Sequence, residues 1–372
     1  MKRILLVFGT RPEAIKMCPL VLELKKRSSF ETIVAVTAQH RQMLDQVLNR
    51  FGVVPDFDLN IMKDSQTLFD ITTSVVDGMK AVLNEVKPDV VLVHGDTTTS
   101  FATALAAFYC RISVGHVEAG LRTRDIYSPY PEEFNREAVS IISSYNFAPT
   151  AICRDNLIRE GKKPENIWIT GNTVIDALNT TVMESYSHPL LDQLSDKRII
   201  LITAHRRENL GEPMRRMFRA IKRVLDEYDD VRAIYPIHYN PAVRSVADEV
   251  FGDDSRISII EPLDVVDFHN FMKASYLILT DSGGIQEEGS SLGKPVLVMR
   301  DTTERPEGVK EGTLKLVGTD ENTVYTEFKN LLDDEKAYEL MSRAFNPYGD
   351  GLASVRIADV LEKGFCEEFV YS

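Results

Sequence analysis

Short apolar runs alternate along this chain with longer segments whose apolar positions recur at helical spacing. The runs at 4–8, 32–37, 90–94, 113–117 and 145–148 predict strands, and 13–26, 42–49, 67–85 and 98–109 predict helices between them. The second half repeats the scheme, with strands predicted at 199–203, 232–236, 257–260, 276–280 and 296–299. Strands without a polar face are buried on both sides, so the alternation predicts an α/β protein with parallel, doubly wound sheets. In such sheets ligands bind at the carboxyl ends of the strands, where the chain turns into helices.

At 372 residues the chain exceeds one ordinary core, and two domains are expected. Gly171-Asn172-Thr173 reads as the join and Pro347-Tyr348-Gly349-Asp350-Gly351 as a second break. The predicted division is 1–172, 173–352 and a C-terminal segment 353–372, whose helix (353–365) returns to the first domain. The 43 basic and 56 acidic residues leave a net charge of −13, with no basic run to outweigh it. Nucleic acid and anionic membrane surfaces are therefore not expected as partners. The apolar start at 4–8 is interrupted by Gly9-Thr10-Arg11-Pro12-Glu13, too soon for a signal peptide, and no stretch reaches the length of a membrane span. Cys18, Cys110, Cys153 and Cys366 are scattered, which fits a reduced cytoplasm and neither a disulfide framework nor a zinc site.

The strand at 276–280 leads into Asp281-Ser282-Gly283-Gly284-Ile285-Gln286-Glu287-Glu288, with a helix predicted at 285–292 and a further strand after it. This compact βαβ unit puts Ser282, Gly283 and Gly284 where a helix begins, and unpaired N–H groups there form an anion site. Glu288, one turn on, suits the hydroxyls of a ribose. Gly9-Thr10-Arg11-Pro12-Glu13, with Lys16 a turn later, and Ala204-His205-Arg206 repeat the device after strands 4–8 and 199–203. The helix dipole disfavours cations at such positions, so Arg11, Lys16, His205 and Arg206 point to an anionic ligand.

Asp96, Glu118 and Glu132 fall at or near the same sheet edge, after the strands 90–94 and 113–117 and after Pro131. Each also suits a local structural role, with Asp96 or Thr97 as a helix cap, Glu118 in a salt bridge to Arg122 or Arg124, and Glu132 as a cap. Grouped, they are what proton transfer needs, because repulsion and partial burial let one carboxyl hold a proton. No Gly-x-Gly-x-x-Gly and no Gly-x-Ser-x-Gly elbow follows a strand, and P-loop and His-x-x-x-His patterns are lacking. No cofactor and no metal are expected.

The motifs Phe8-Gly9-Thr10-Arg11-Pro12-Glu13-Ala14, His94-Gly95-Asp96-Thr97, His116-Val117-Glu118-Ala119-Gly120-Leu121-Arg122, Pro131-Glu132-Glu133, Thr203-Ala204-His205-Arg206-Arg207-Glu208-Asn209, Thr280-Asp281-Ser282-Gly283-Gly284 and Arg300-Asp301-Thr302-Thr303-Glu304-Arg305-Pro306-Glu307 occur in order. Over essentially its whole length the chain resembles the non-hydrolysing UDP-N-acetylglucosamine 2-epimerases. The resemblance implies two Rossmann-like domains facing across a cleft, the GT-B arrangement, and a homodimer that binds UDP-N-acetylglucosamine and UDP. It implies Arg11, Lys16 and His205 around the diphosphate and sugar, Ser282, Gly283 and Gly284 on phosphate, and Glu288 on the ribose. Phe268 is implied at the uracil and Arg305 at another part of the ligand. Asp96, Glu118 and Glu132 are implied as the acid/base set, with His205 in the catalytic group. Leu263 stands where some relatives carry Gln, and Glu287-Glu288-Gly289-Ser290-Ser291 where relatives often read Glu-Glu-Ala-Pro-Ser.

The C2 hydrogen of this sugar is not acidified by a carbonyl, and no nicotinamide fingerprint supports a transient oxidation. Elimination of UDP to 2-acetamidoglucal, followed by re-addition, is the expected route. A glycosyltransferase on the same scaffold is the alternative, and a catalytically inactive nucleotide-sugar module a second; neither needs three acids near one sugar carbon. The resemblance further implies a regulatory site for the same nucleotide sugar at Gln39, His40, Gln42, Arg206 and His238, although Ser65 replaces an Arg found in some relatives.

Overall fold

The computed structural model describes residues 1–38, 41–63 and 66–363, which form two compact units, Met1–Asn179 with the chain from Tyr348 onward, and Thr180–Pro347. The first unit holds the strands β1 (Lys2–Phe8), β2 (Phe30–Val36), β3 (Phe57–Asp58), β4 (Val90–His94), β5 (Ser113–Val117), β6 (Tyr145–Ala148) and β7 (Ile167–Ile169). They pair in parallel throughout, in the order β3-β2-β1-β4-β5-β6-β7. The second unit repeats the design with β8 (Arg198–Thr203), β9 (Val231–Pro236), β10 (Ile257–Ile260), β11 (Leu277–Thr280), β12 (Val296–Val298) and β13 (Leu314–Leu316). Their order is β10-β9-β8-β11-β12-β13, again all parallel. Both sheets are Rossmann-like and belong to the α/β class predicted from the alternation.

Each order reverses once, between β1 and β4 and between β8 and β11. At such a reversal the connections leave to opposite faces, and a crevice opens beyond the carboxyl ends of the two strands. The turns after β1, β4, β8 and β11 are therefore where a ligand site is expected.

The apolar runs form the sheets because helices cover both faces. Ile4, Leu5, Leu6, Val7 and Phe8 of β1 are all fully buried. The helix Thr98–Tyr109 lies against the first sheet on alanines, with Ala102, Ala104, Ala106 and Ala107 buried. Strands β3, β7 and β13 escape a periodicity reading, since two or three residues cannot show a pattern. In the second unit Phe218 stacks on Phe251 and meets Tyr235 edge-on at centroid distances of 4.6 and 5.6 Å. Tyr235 donates its hydroxyl to Ala204 O at 2.5 Å, tying this aromatic core to the turn after β8.

The first helix begins at Arg11, two residues before its predicted start. Thr10 caps it, and Glu13 reaches back to accept from Thr10 N at 2.8 Å and Gly9 N at 3.0 Å. Gly9 must lack a side chain: a Cβ there would meet Thr37 Oγ1 at 1.9 Å. The last helix, Ala353–Lys363, is capped by Asp176, which accepts from Ala353 N at 3.1 Å and Ser354 N at 2.7 Å. Its predicted last two residues lie outside the described residues.

The loop after β12 is pinned by buried charge. Arg300 Nη1 donates to Glu304 Oε2 at 2.9 Å, and Arg305 Nη1 lies 3.6 Å from the same oxygen. Burial would raise the Glu304 carboxyl, but the Arg300 hydrogen bond and the charges of Arg305 and Arg300 outweigh it and hold the group at about 2. With its folded value below the ordinary 4.5, Glu304 contributes stability that is fully present above that pH. The contribution is lost as pH falls toward 2. Glu304→Gln should lower the melting temperature at neutral pH, and the wild-type and variant curves should draw together on acidification. A gap that stays constant across a pH series of thermal melts would mean that packing, and not charge, is what Glu304 supplies.

Candidate functional site

At the switch point of the first unit, buried carboxylates hold the turns in place. Glu13 is 2% exposed; besides the two N–H groups of its own turn, its Oε1 accepts from Thr97 Oγ1 at 2.6 Å and Ser100 Oγ at 3.1 Å. One side chain thus joins the turn after β1 to the turn after β4. Thr97 caps the helix Thr98–Tyr109, so Asp96 is not needed as its cap. Asp96 forms an ion pair with Arg136, and its carbonyl accepts from Asn135 Nδ2 at 2.9 Å, so the helix Glu132–Ile142 is drawn to this turn.

Glu118 follows β5 with φ at +66°, a left-handed conformation that costs a non-glycine residue about 1–3 kcal/mol. Its Oε2 faces Lys16 Nζ in an ion pair, accepts from Asn172 Nδ2 at 2.9 Å and lies 3.5 Å from His94 Nε2. The alternative partners Arg122 and Arg124 are engaged elsewhere, with Glu160 at 2.8 Å and Asn156 at 2.9 Å. Beneath the cluster His116 Nε2 meets Gly95 O at 2.7 Å, and burial pushes this imidazole down to about 3, so it is neutral.

Glu132 opens its helix but does not cap it; among the described residues its side chain makes no hydrogen bond. The adjacent Glu133 holds the segment instead. It is fully buried and accepts from Thr123 N and Arg124 N, both at 2.8 Å, and from Arg136 Nη1 at 3.0 Å. Asp96 and Glu118 are thus each paired with a cation, Arg136 and Lys16. Arg11 is the first residue of its helix and half-buried.

At the switch point of the second unit the organiser is Asp281, fully buried at the end of β11. It accepts from His205 N at 3.0 Å, Arg206 N at 2.9 Å and Asn209 Nδ2 at 3.1 Å. This carboxylate fixes the turn after β8 from the strand next door. His205, 42% exposed in its side chain, stacks on His238 with ring centroids 5.3 Å apart and planes at 11°. Burial, then the neighbouring His205 and Arg244, push His238 below its ordinary value. Arg206 Nη1 lies 3.5 Å from Glu208 and 3.8 Å from Glu304.

Ser282 is the N-cap of the helix Gly283–Ser291, so both glycines sit in its first turn. The Ser282 side chain makes no capping bond, which leaves the orphan N–H groups of that turn for another acceptor. Glu288 is 8% exposed, and His269 Nε2 lies 3.6 Å from its Oε2 while His269 Nδ1 is 2.6 Å from Thr181 Oγ1. Phe268 is half-buried on the helix Val265–Ala274, its ring 6.5 Å from that of His269. Arg305 bonds Glu287. Gln39, His40 and Ser65 lie outside the described residues, as does the side chain of Gln42.

Asp96 and Glu118 follow the parallel strands β4 and β5 of the first unit, and His205 and Ser282 follow β8 and β11 of the second. The residues that hold them, Glu13, Glu133, Arg136, Asn172, His269, Asp281 and Glu287, have no such role legible in the sequence. Only Glu13 carries a signal, the capping-box spacing Thr10-x-x-Glu13. Among the described residues no group of His, Cys, Asp and Glu could hold a metal ion, and no helix is long and apolar enough to cross a membrane.

A family model described as UDP-N-acetylglucosamine 2-epimerase matches residues 22–362. The UDP-N-acetylglucosamine 2-epimerase of Bacillus subtilis is 61% identical over 359 residues, spanning 96% of this chain and 94% of its own. A solved S. aureus structure with UDP superposes with a TM-score of 0.91 at 54% identity, covering 98% of this chain and 96% of that one. The UDP-GlcNAc 2-epimerase of Neisseria meningitidis, bound to UDP-GlcNAc, superposes with a TM-score of 0.91 at 47% identity, over 97% of this chain and all (100%) of that one. Nearly full-length agreement in sequence, and in both Rossmann-like units of the GT-B class, means that this chain belongs to the UDP-N-acetylglucosamine 2-epimerase family of enzymes.

Proposed function

We propose that the protein reversibly epimerises C2 of UDP-N-acetylglucosamine to UDP-N-acetylmannosamine by eliminating and re-adding UDP. The reading rests above all on the edge formed by β4, β5 and the helix Glu132–Ile142, which carries Asp96, Glu118 and Glu132. One carboxylate takes the C2 proton as the C1–O bond breaks, its electron pair leaving on UDP, and C1=C2 forms in 2-acetamidoglucal. UDP oxygen then re-adds to C1 while a proton reaches C2 from the opposite face. Acid/base groups are needed on both faces, hence more than one carboxylate.

Departing UDP carries the developing charge, and fixed donors stabilise it without rearranging. Arg11, Lys16, His205, Arg305 and the N–H groups from Ser282 to Gly284 fill that role in this scheme, with Glu288 on the ribose and Phe268 at the uracil. Relatives bound to UDP and to UDP-GlcNAc support this assignment of ligand. The family reading also makes the protein a cytoplasmic homodimer, with Arg206 and His238 part of a second, regulatory nucleotide-sugar site that includes Gln39, His40 and Gln42.

In D2O, with UDP-N-acetylglucosamine and no added metal, nicotinamide or acceptor, a mixture with the manno epimer should form with deuterium at C2. Epimer that retains protium at C2 by NMR would rule out elimination, and free sugar as the main product would indicate hydrolysis instead.

Asp96→Asn, Glu118→Gln and Glu132→Gln should each lower kcat by about a hundredfold or more, the scale of a lost acid/base group, with UDP affinity little changed. Arg11→Ala and His205→Ala should instead weaken UDP binding, each removing a charge-assisted contact worth roughly 1.5–3 kcal/mol. Calorimetric titrations separate the two groups; loss of UDP binding in the carboxylate variants would reassign those residues to folding.

A further inference from the structure

Glu287 is 1% exposed, so its charge is out of water and needs a match. Arg305 supplies it: Nε–H donates to Glu287 Oε1 at 2.5 Å, with side chains 10% and 2% exposed. Arg305 is also fixed along the backbone, since its N–H donates to Thr303 Oγ1 at 3.1 Å. Thr303 in turn donates to Gln286 Oε1 at 2.7 Å, stitching the loop after β12 to the helix Gly283–Ser291. A Cβ on Gly283 would lie 2.8 Å from Arg305 Nη1 and 3.2 Å from its Cζ, so the guanidinium covers the first residue of that helix.

A guanidinium is a rigid planar fork, and holding one N–H sets the direction of the others. Glu287 sits one turn into the helix whose amino end Arg305 covers. The carboxylate therefore locks the cation to the same element that presents the orphan N–H groups. Without it, the fork loses the contact that ties Nε to this helix, while Glu304 Oε2, 3.6 Å from Nη1, still draws the cation.

We propose that Glu287 is a positioning residue that aims Arg305 at an anion seated on this helix terminus, the diphosphate of the nucleotide. The inference rests on the nucleotide-binding reading above. Glu287 itself touches no ligand and acts through Arg305. A ligand with phosphates feels its loss, and one without them does not.

The test compares UDP and uridine on the full-length protein, by calorimetry for UDP and NMR titration for uridine. Glu287→Gln should lower UDP affinity about 10- to 100-fold, the scale seen when a partner that orients a binding residue is removed, and leave uridine binding as in the wild type. Arg305→Lys should give a similar loss for UDP, and adding Glu287→Gln to Arg305→Lys should cost little more, because both act on one contact. If Glu287→Gln does not fold, Glu287→Asp, which keeps the charge and withdraws it by one methylene, is read in the same way. UDP and uridine affinities that fall together, losses that add in the double variant, or an unchanged UDP affinity would each overturn the proposal. Wild-type protein that fails to bind UDP would instead overturn the nucleotide reading along with it.

Discussion

The structure depends on a constraint of parallel sheets. When strands in one parallel sheet are connected first to one side and then to the other, the two middle strands have connections that part company above their carboxyl ends. No helix can close the gap they leave. Here the gap occurs twice, above β1 and β4 and above β8 and β11. Turns that feed helices from these strands carry unpaired N–H groups, so each unit offers a polar site by topology before any side chain is chosen.

What turns an opening into a defined site is buried negative charge. Glu13, Glu133 and Asp281 have at most 2% exposure; Glu13 accepts from N–H groups of its own turn and hydroxyls of the next, and Glu133 and Asp281 accept from N–H groups of a neighbouring segment. A buried carboxylate is costly unless its oxygens are filled, and filling them with N–H groups fixes those segments to within hydrogen-bond geometry. The turn after β8 is therefore placed by Asp281 of β11, and the turn after β4 by Glu13 of the first helix. Buried carboxylates also hold cations, Arg136 on Glu133 and Arg305 on Glu287.

The same logic explains why Glu118 tolerates a left-handed backbone. Lys16, Asn172 and His94 come from three different segments and all face one of its oxygens. The bonds from Lys16 and Asn172 hold the carboxylate against a backbone strain of the order of 1–3 kcal/mol.

The sequence by itself determined the fold class, the strands long enough to show an apolar run, and the turns that end them. Those features depend on local pattern: continuous burial marks β1, β4 and β8, and the residues after each strand are read directly. Asp96, Glu118, His205 and Ser282 could be placed after strands for that reason. Tertiary structure alone decided which charge meets which. Glu118 pairs with Lys16, not with Arg122 or Arg124, and the carboxylate that ties down its segment is Glu133, not Glu132. Asp281 serves the turn after β8, some seventy residues earlier in the chain. An ion pair or a cap across strands is set by which strands become neighbours, and strand order arises from the packing of helices on both faces of a sheet. Charges within a few residues of each other reveal nothing of it.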